Sequence, residues 1–362
     1  MAYSDIKDPS AHFQALTYTG NGTTTNNVTN TGNSNLQPDL VWIKDRSVAR
    51  DHVVTDSSRD GEVASGTNLV LTPNTTEAEA SSTGFGINYA TNGINFDAAW
   101  AKVNASGQTY VAWQWKANGG TTASNTDGDL TSTVQFNSTA GFSIVTYTGK
   151  DPIEPLQVGH GMGEAPDVII IKNRSSARLW AVYHKELTSP AANRYLILNV
   201  STYGELANST LWGNVAPSST IITTGENAGV NQPNENLVAY CWKERQGFSK
   251  FGTYKANANA NGPFVYTGFK PAVVINKRTD QGGPWTIFDN GRCPNNVNNA
   301  KLSPDTNGAE ITTTGDPIDF LSNGYKLRGS GGDCNASGGT YIYMAFAENP
   351  FVTSTGIPAT AR

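Results

Sequence analysis

The sequence predicts an all-β fold, built as three tandem antiparallel β-sandwich modules of jelly-roll or lectin-like type, each of about 100 residues. Three observations predict it. Only 37% of the 362 residues are hydrophobic and 15% charged, with Gly, Asn, Thr and Ser supplying much of the rest, a composition suited to short strands joined by turns. Ala, Leu, Glu and Lys fall short of the bulk that long helices need. Finally, the chain repeats itself three times at near-constant spacing, the sign of one supersecondary unit used three times.

Each repeat opens on an aromatic-led strand, at 13–20 (FQALTYTG), 142–149 (FSIVTYTG) and 248–254 (FSKFGTY). A proline, an apolar run and a basic pair follow: Pro38 to Arg46 (PDLVWIKDR), Pro166 to Arg174 (PDVIIIKNR) and Pro271 to Arg278 (PAVVINKR), the last one residue shorter. The gap from Phe to Pro is 25, 24 and 23 residues. A third strand occupies 52–56 (HVVTD), 180–184 (WAVYH) and 285–289 (WTIFD). The closing strands are 110–115 (YVAWQW), 237–242 (LVAYCW) and 341–346 (YIYMAF), beginning 66, 65 and 64 residues after the motif lysine. The runs 41–43 and 168–171 are apolar without alternation, as in a strand covered on both faces.

Asp56 and Asp289 are each followed three residues later by an arginine, Arg59 and Arg292. That spacing predicts a turn pinned by a surface ion pair, worth roughly 0–1 kcal/mol. Between the third and closing strands, 69–71, 195–198 and 325–327 read as further strands. Helix is confined to single turns such as 76–80. The resulting division is module one over 1–116, a Gly/Ser/Thr linker over 117–141 with a candidate edge strand at 130–136, module two over 142–244, module three over 245–351 and a tail over 352–362.

The chemistry-bearing residues form no recognisable catalytic pattern. A formal net charge of −5 argues against a nucleic-acid groove, which needs clustered Lys and Arg. No charged-then-apolar opening predicts a secretory signal and no run is long enough to span a bilayer, so no membrane insertion is expected. The three cysteines, Cys241, Cys293 and Cys334, are an odd set that fits synthesis in a reducing cytoplasm. Whether Cys293 and Cys334 pair is left open. Glycoside hydrolysis needs two opposed carboxylates, and Asp151 with Glu154 or Glu77 with Glu79 lack a supporting motif. Of the four histidines, His160 sits in a Gly-rich turn, and no Gly-x-Ser-x-Gly elbow is present. The acidic stretch 125–129 departs from a calcium loop, since its glycine falls early and Phe136 stands where a bidentate Glu is needed. The expectation is a protein that is not an enzyme, with no catalytic residue, no cofactor and no metal. The three basic pairs read as solvated strand ends that hold a neighbouring carboxylate, with anionic sugars as the alternative. Tyr203, Trp212 and His160 are the candidate surface, receptor or interface residues, the two aromatics because exposed Tyr and Trp suit sugar stacking and protein contacts.

Several stretches resemble a family of virion structural proteins, tail-fibre-like, common in marine phages and prophages. They are the opening 1–10 with Phe13, the segment 139–149 followed by 158–163, the segments 262–271 and 319–328, and the ending 345–351. The resemblance covers nearly the whole chain. It implies a virion component assembled in the host bacterial cytoplasm, most simply tail-associated as a short fibre, adaptor or receptor-binding part. A head-decoration protein and a glycan-binding or glycan-cleaving adhesin are the alternatives. It further implies other virion proteins as partners, homo-oligomerisation with a trimer favoured, and a host surface glycan as a candidate ligand. No catalytic or binding residue carries across. Long-fibre proteins have an anchoring domain, a heptad stalk and a shaft; without these, docking is expected through the modules themselves.

Overall fold

A computed structural model describes residues 4–150 and 155–351. Asp151, Glu154 and the tail over 352–362 lie outside the described residues. The fold is all-β, and twelve strands form its frame. In the first repeat these are β1 (Phe13–Thr19), β2 (Leu40–Asp45), β3 (Val53–Asp56) and β4 (Thr109–Trp115). The second repeat contributes β5 (Phe142–Thr148), β6 (Val168–Asn173), β7 (Ala181–His184) and β8 (Asn236–Trp242). The third contributes β9 (Ser249–Lys255), β10 (Phe269–Arg278), β11 (Trp285–Asp289) and β12 (Thr340–Pro350).

All three sheets share one antiparallel order: β1-β4-β2-β3, β5-β8-β6-β7 and β9-β12-β10-β11. Their registers match as well. Leu40 pairs with Trp115, Val168 with Trp242 and Val273 with Phe346. Counting from these pairs, Lys44, Lys172 and Lys277 are equivalent. Arg278 then takes the place of Asp45 and Asn173, and Thr279 that of Arg46 and Arg174. The basic pair of the third repeat is therefore not the counterpart of the other two.

Alternation sends the two faces of the first and second sheets to different cores, whereas both faces of the third join the shared one. On β4, Val111, Trp113 and Trp115 enter a core shared by all three repeats, whereas Tyr110 and Ala112 enter a core of the first repeat alone. Likewise β8 sends Val238, Tyr240 and Trp242 to the shared core and Leu237, Ala239 and Cys241 to its own. This double coverage explains the unbroken apolar runs of β2 and β6, every residue of which is buried. In the shared core the Trp115 ring lies 6.2 Å from that of Trp242 and 5.6 Å from that of Phe346, its equivalents in the other two repeats. Fully burying an aromatic of this kind contributes about 2–3 kcal/mol. The three sheets thus form the sides of a prism about a pseudo-threefold axis. Small outer sheets back them: 26–29, 93–96 and 87–90 in the first repeat, 156–159 and 221–224 in the second, and 264–266, 324–327 and 318–321 in the third.

The segment after the first repeat is fastened, not draped. One carboxylate, Asp39, accepts the backbone N–H groups of Ala117, Gly119 and Gly120 at 2.6, 3.0 and 2.8 Å, and Gln135 Oε1 accepts those of Asn118 and Gly120. Strands Ala123–Asn125 and Ser132–Asn137 then extend the second sheet beyond β5. Residues 76–80 form no helical turn. The α-helical turns are instead Ser57–Asp60, Ala101–Asn104 and Gly332–Asn335, the first capped by Asp56, which accepts the Arg59 N–H at 2.9 Å.

Candidate functional site

Two of the seams between repeats carry buried clusters of charged groups. At the seam of the first and second, buried Asp56 and Arg59 are ion-paired, and the Tyr240 hydroxyl of the second repeat donates to Asp56 Oδ2 at 2.7 Å. Arg59 also reaches Glu79 (2.6 Å), which takes Arg174 of the second repeat at 2.9 Å. The seam of the third and first repeats reproduces this set. Asp289 pairs with Arg292 at 2.6 Å, Trp113 Nε1 donates to Asp289 at 3.0 Å, and Glu310 bridges Arg292 (3.1 Å) to Arg46 (2.8 Å). Burial alone would raise the Glu310 carboxyl, but Arg46 and Arg292 outweigh it and hold the group below its ordinary range.

The third seam replaces both partners together. His184 stands where the other repeats have Asp56 and Asp289, and Met344, which has no proton to donate, holds the strand position of Tyr240 and Trp113. His184 Nε2 instead lies 3.3 Å from the Tyr343 carbonyl oxygen. One backbone bond recurs at all three seams: Glu79 N–H to Arg174 O (2.8 Å), Glu205 N–H to Thr279 O (2.7 Å) and Glu310 N–H to Arg46 O (2.9 Å). Each passes from one repeat to the next, first to second, second to third and third to first, so the ring is closed. A cyclic, heterologous interface that closes on itself is the signature of a threefold ring, here within one chain.

These placements correct several readings from sequence. The Asp–Arg pairs are buried against the neighbouring repeat, whose Tyr240 and Trp113 donate to Asp56 and Asp289, whereas a surface turn was expected. Lys44, Lys172 and Lys277 are fully buried, not solvated strand ends. They donate to backbone carbonyls: Lys44 to Asp45 O at 2.7 Å, Lys172 to Arg178 O at 3.0 Å and Thr76 O at 3.1 Å, and Lys277 to Gly283 O. Burial pushes each ammonium down to about 8.

Of the three candidate surface residues, Tyr203 is 51% exposed. Trp212 is buried, its indole N–H donating to Arg194 O at 2.9 Å and its ring set edge-on to Tyr183. His160 is buried as well, with Nδ1 accepting the Met162 N–H at 3.2 Å and Nε2 facing Ser218 O. Neither can serve as a surface contact. Cys293 and Cys334 are both free; Cys334 is buried at the position that Val103 and Val230 hold in the other repeats. Glu79 belongs to a seam. Among the described residues no group of three or more His, Cys, Asp or Glu is arranged to hold a metal ion, and the 125–129 stretch is a turn in which Asn125 Oδ1 accepts the Asp127 N–H. Sequence reading missed Glu310, Tyr240 and Trp113 as seam residues. The recurring aromatic at 113 and 240 was the available signal.

Among known families, the model of a domain of unknown function (DUF7483) matches residues 8–350. No curated protein and no solved structure matches the chain.

Proposed function

The chain belongs to the DUF7483 family, and we propose that it is a non-enzymatic structural component of a bacteriophage particle, tail-associated as a short fibre, adaptor or receptor-binding part. The observation that carries this reading is the closed ring. The ion pairs Glu79–Arg174 and Glu310–Arg46, with the Tyr240–Asp56 and Trp113–Asp289 hydrogen bonds, join one repeat to the next, which suits a rigid assembly part better than a reaction centre. The resemblance to marine phage virion proteins supports it independently. The threefold arrangement of repeats inside one chain suits a threefold position on the particle. Tracing the chain by cryo-electron microscopy of the particle that encodes it is the test. Density at the tail is the expected result, density spread over the shell makes it a head-decoration protein, and absence from the particle ends the reading.

A further inference from the structure

The three repeats supply an internal comparison for any exposed side chain: what one repeat carries and its equivalents lack is not required by the fold. The outer sheets of the first and third repeats superpose by register. Thr29 pairs with Gly93 and Asn27 with Asn95, as Tyr266 pairs with Gly324 and Phe264 with Lys326. A Cβ on either glycine would meet the facing carbonyl, Val28 O at 2.1 Å and Val265 O at 2.2 Å, so the equivalence holds in detail. Between the outward positions lie buried Val28 and Val265. The first repeat fills its outward positions with Asn27, Thr29, Asn88 and Asn95. At the first two of these the third repeat places Phe264, 45% exposed, and Tyr266, 59% exposed.

We propose that this outer face of the third repeat is a saccharide-binding platform. Alternate residues on one face of a strand stand roughly 7 Å apart, which sets the two rings in file along the edge strand 264–266. The Phe264 ring comes within 3.0 Å of where a Gly324 side chain would begin, so it covers the bare glycine, and the Tyr266 ring lies against Gly268. Supported in this way, each ring leaves apolar surface towards solvent for the C–H faces of a sugar. Hydrogen-bonding groups flank the platform: Asp319 with Arg328 (3.1 Å) on the same outer sheet, and a cleft of about 370 Å³ beside Tyr266, lined also by Glu244, Arg245 and Lys250. This mixture of bare rings and polar groups fits a hydroxyl-rich ligand better than a dry protein core, which would exclude the charges. The inference concerns the purified chain and does not depend on its place in a particle.

The experiment is binding of the purified full chain to an array of bacterial envelope polysaccharides, beside the F264N/Y266T variant, which installs the residues of the first repeat. Wild-type binding to at least one polysaccharide, with loss of about tenfold or more in the variant and none in N27A/T29A, is the expected result. The variant must retain the wild-type thermal midpoint, which its exposed positions allow. No binding by the wild type overturns the proposal, as does equal binding by wild type and F264N/Y266T. Should that variant lose a protein partner while keeping its glycan, the face is a protein-docking surface and the saccharide reading falls.

Discussion

The hydroxyl of Tyr240 donates to Asp56 Oδ2 at 2.7 Å across the boundary between the second and first repeats, deep in the interior. Its counterpart is Trp113 Nε1 on Asp289 at 3.0 Å, across the boundary between the first and third. The third member of the set differs at both positions: Met344 holds the donor's place and His184 the acceptor's.

Removing the donor measures that bond. Tyr240→Phe leaves Asp56 paired with Arg59 but one donor short, and is expected to destabilise the chain by about 2 kcal/mol. Met344→Leu, at the seam where His184 replaces the aspartate, is expected to stay below about 1.5 kcal/mol. Urea denaturation of both variants makes the comparison; equal losses would show that the hydroxyl bond adds nothing to packing.

Glu310 carries two arginines from different repeats, so its loss leaves both guanidiniums short of charge. Glu310→Gln keeps the shape and is expected to lower stability by about 3 kcal/mol. Adding Arg46→Ala to that variant is expected to cost less than Arg46→Ala alone in the wild type. A double-mutant cycle read by chemical denaturation checks both statements, and simple additivity would refute the coupling.

Acid sensitivity follows from His184, which burial holds neutral with its pKa lowered to about 4. The unfolded chain takes up this proton near its ordinary value of about 6.5, before the folded chain does. Its contribution is therefore fully present above pH 6.5 and is lost progressively as the pH falls towards 4, at up to about 1.4 kcal/mol per pH unit. Thermal midpoints measured from pH 7 to pH 4 should fall more steeply for the wild type than for His184→Gln. Parallel curves would mean that other groups govern the acid response.

Lys172 and Lys277 test what a buried lysine does without a carboxylate on its ammonium. Lys172→Met forfeits bonds to two carbonyls, one of them Thr76 O of the first repeat, whereas Lys277→Met forfeits Gly283 O alone. Both remove a desolvated charge, so the difference isolates the carbonyl bonds, about 1 kcal/mol in favour of Lys277→Met as the milder change. Equal midpoints in denaturant would contradict it.

Thiol titration reports the placement of the cysteines. Cys241 and Cys334 are buried, and burial raises both thiols well above their ordinary value. Cys293 is partly exposed. One equivalent of a chromogenic disulfide reagent should react with the native chain and three with the unfolded one; three fast equivalents before unfolding would mean an open core.

Strand positions were legible in the sequence because both the repeat and the double-sided burial leave local marks, as in the apolar runs of β2 and β6. The seams were not legible. Asp56 and Arg59 advertise a turn three residues wide, but their inter-repeat partner Tyr240 lies 184 residues away, and no local periodicity records such a contact. The lysines were misread for a similar reason. A Lys at a strand end is ordinarily solvated, and only the loop folding back over it, with carbonyls such as Arg178 O, turns it inward. Trp212 and His160 sit in Gly-containing loops whose composition resembles exposed turns, yet the loops are laid over a core that the sequence does not display. Phe264 and Tyr266 alternate with Val265 as any half-buried edge strand would. Only the register with Asn27 and Thr29 shows that the fold itself does not call for them.

Covalent continuity changes how such a ring answers to dilution. Three separate polypeptides would hold it only as the cube of their concentration permits, whereas repeats on one backbone meet at an effective concentration of order millimolar. A lone copy of the chain keeps its ring intact at any dilution. Fusion also releases the repeats from sameness: in a ring of identical chains every substitution arrives in triplicate, while here Thr29 and Tyr266 occupy one structural position with separate fates.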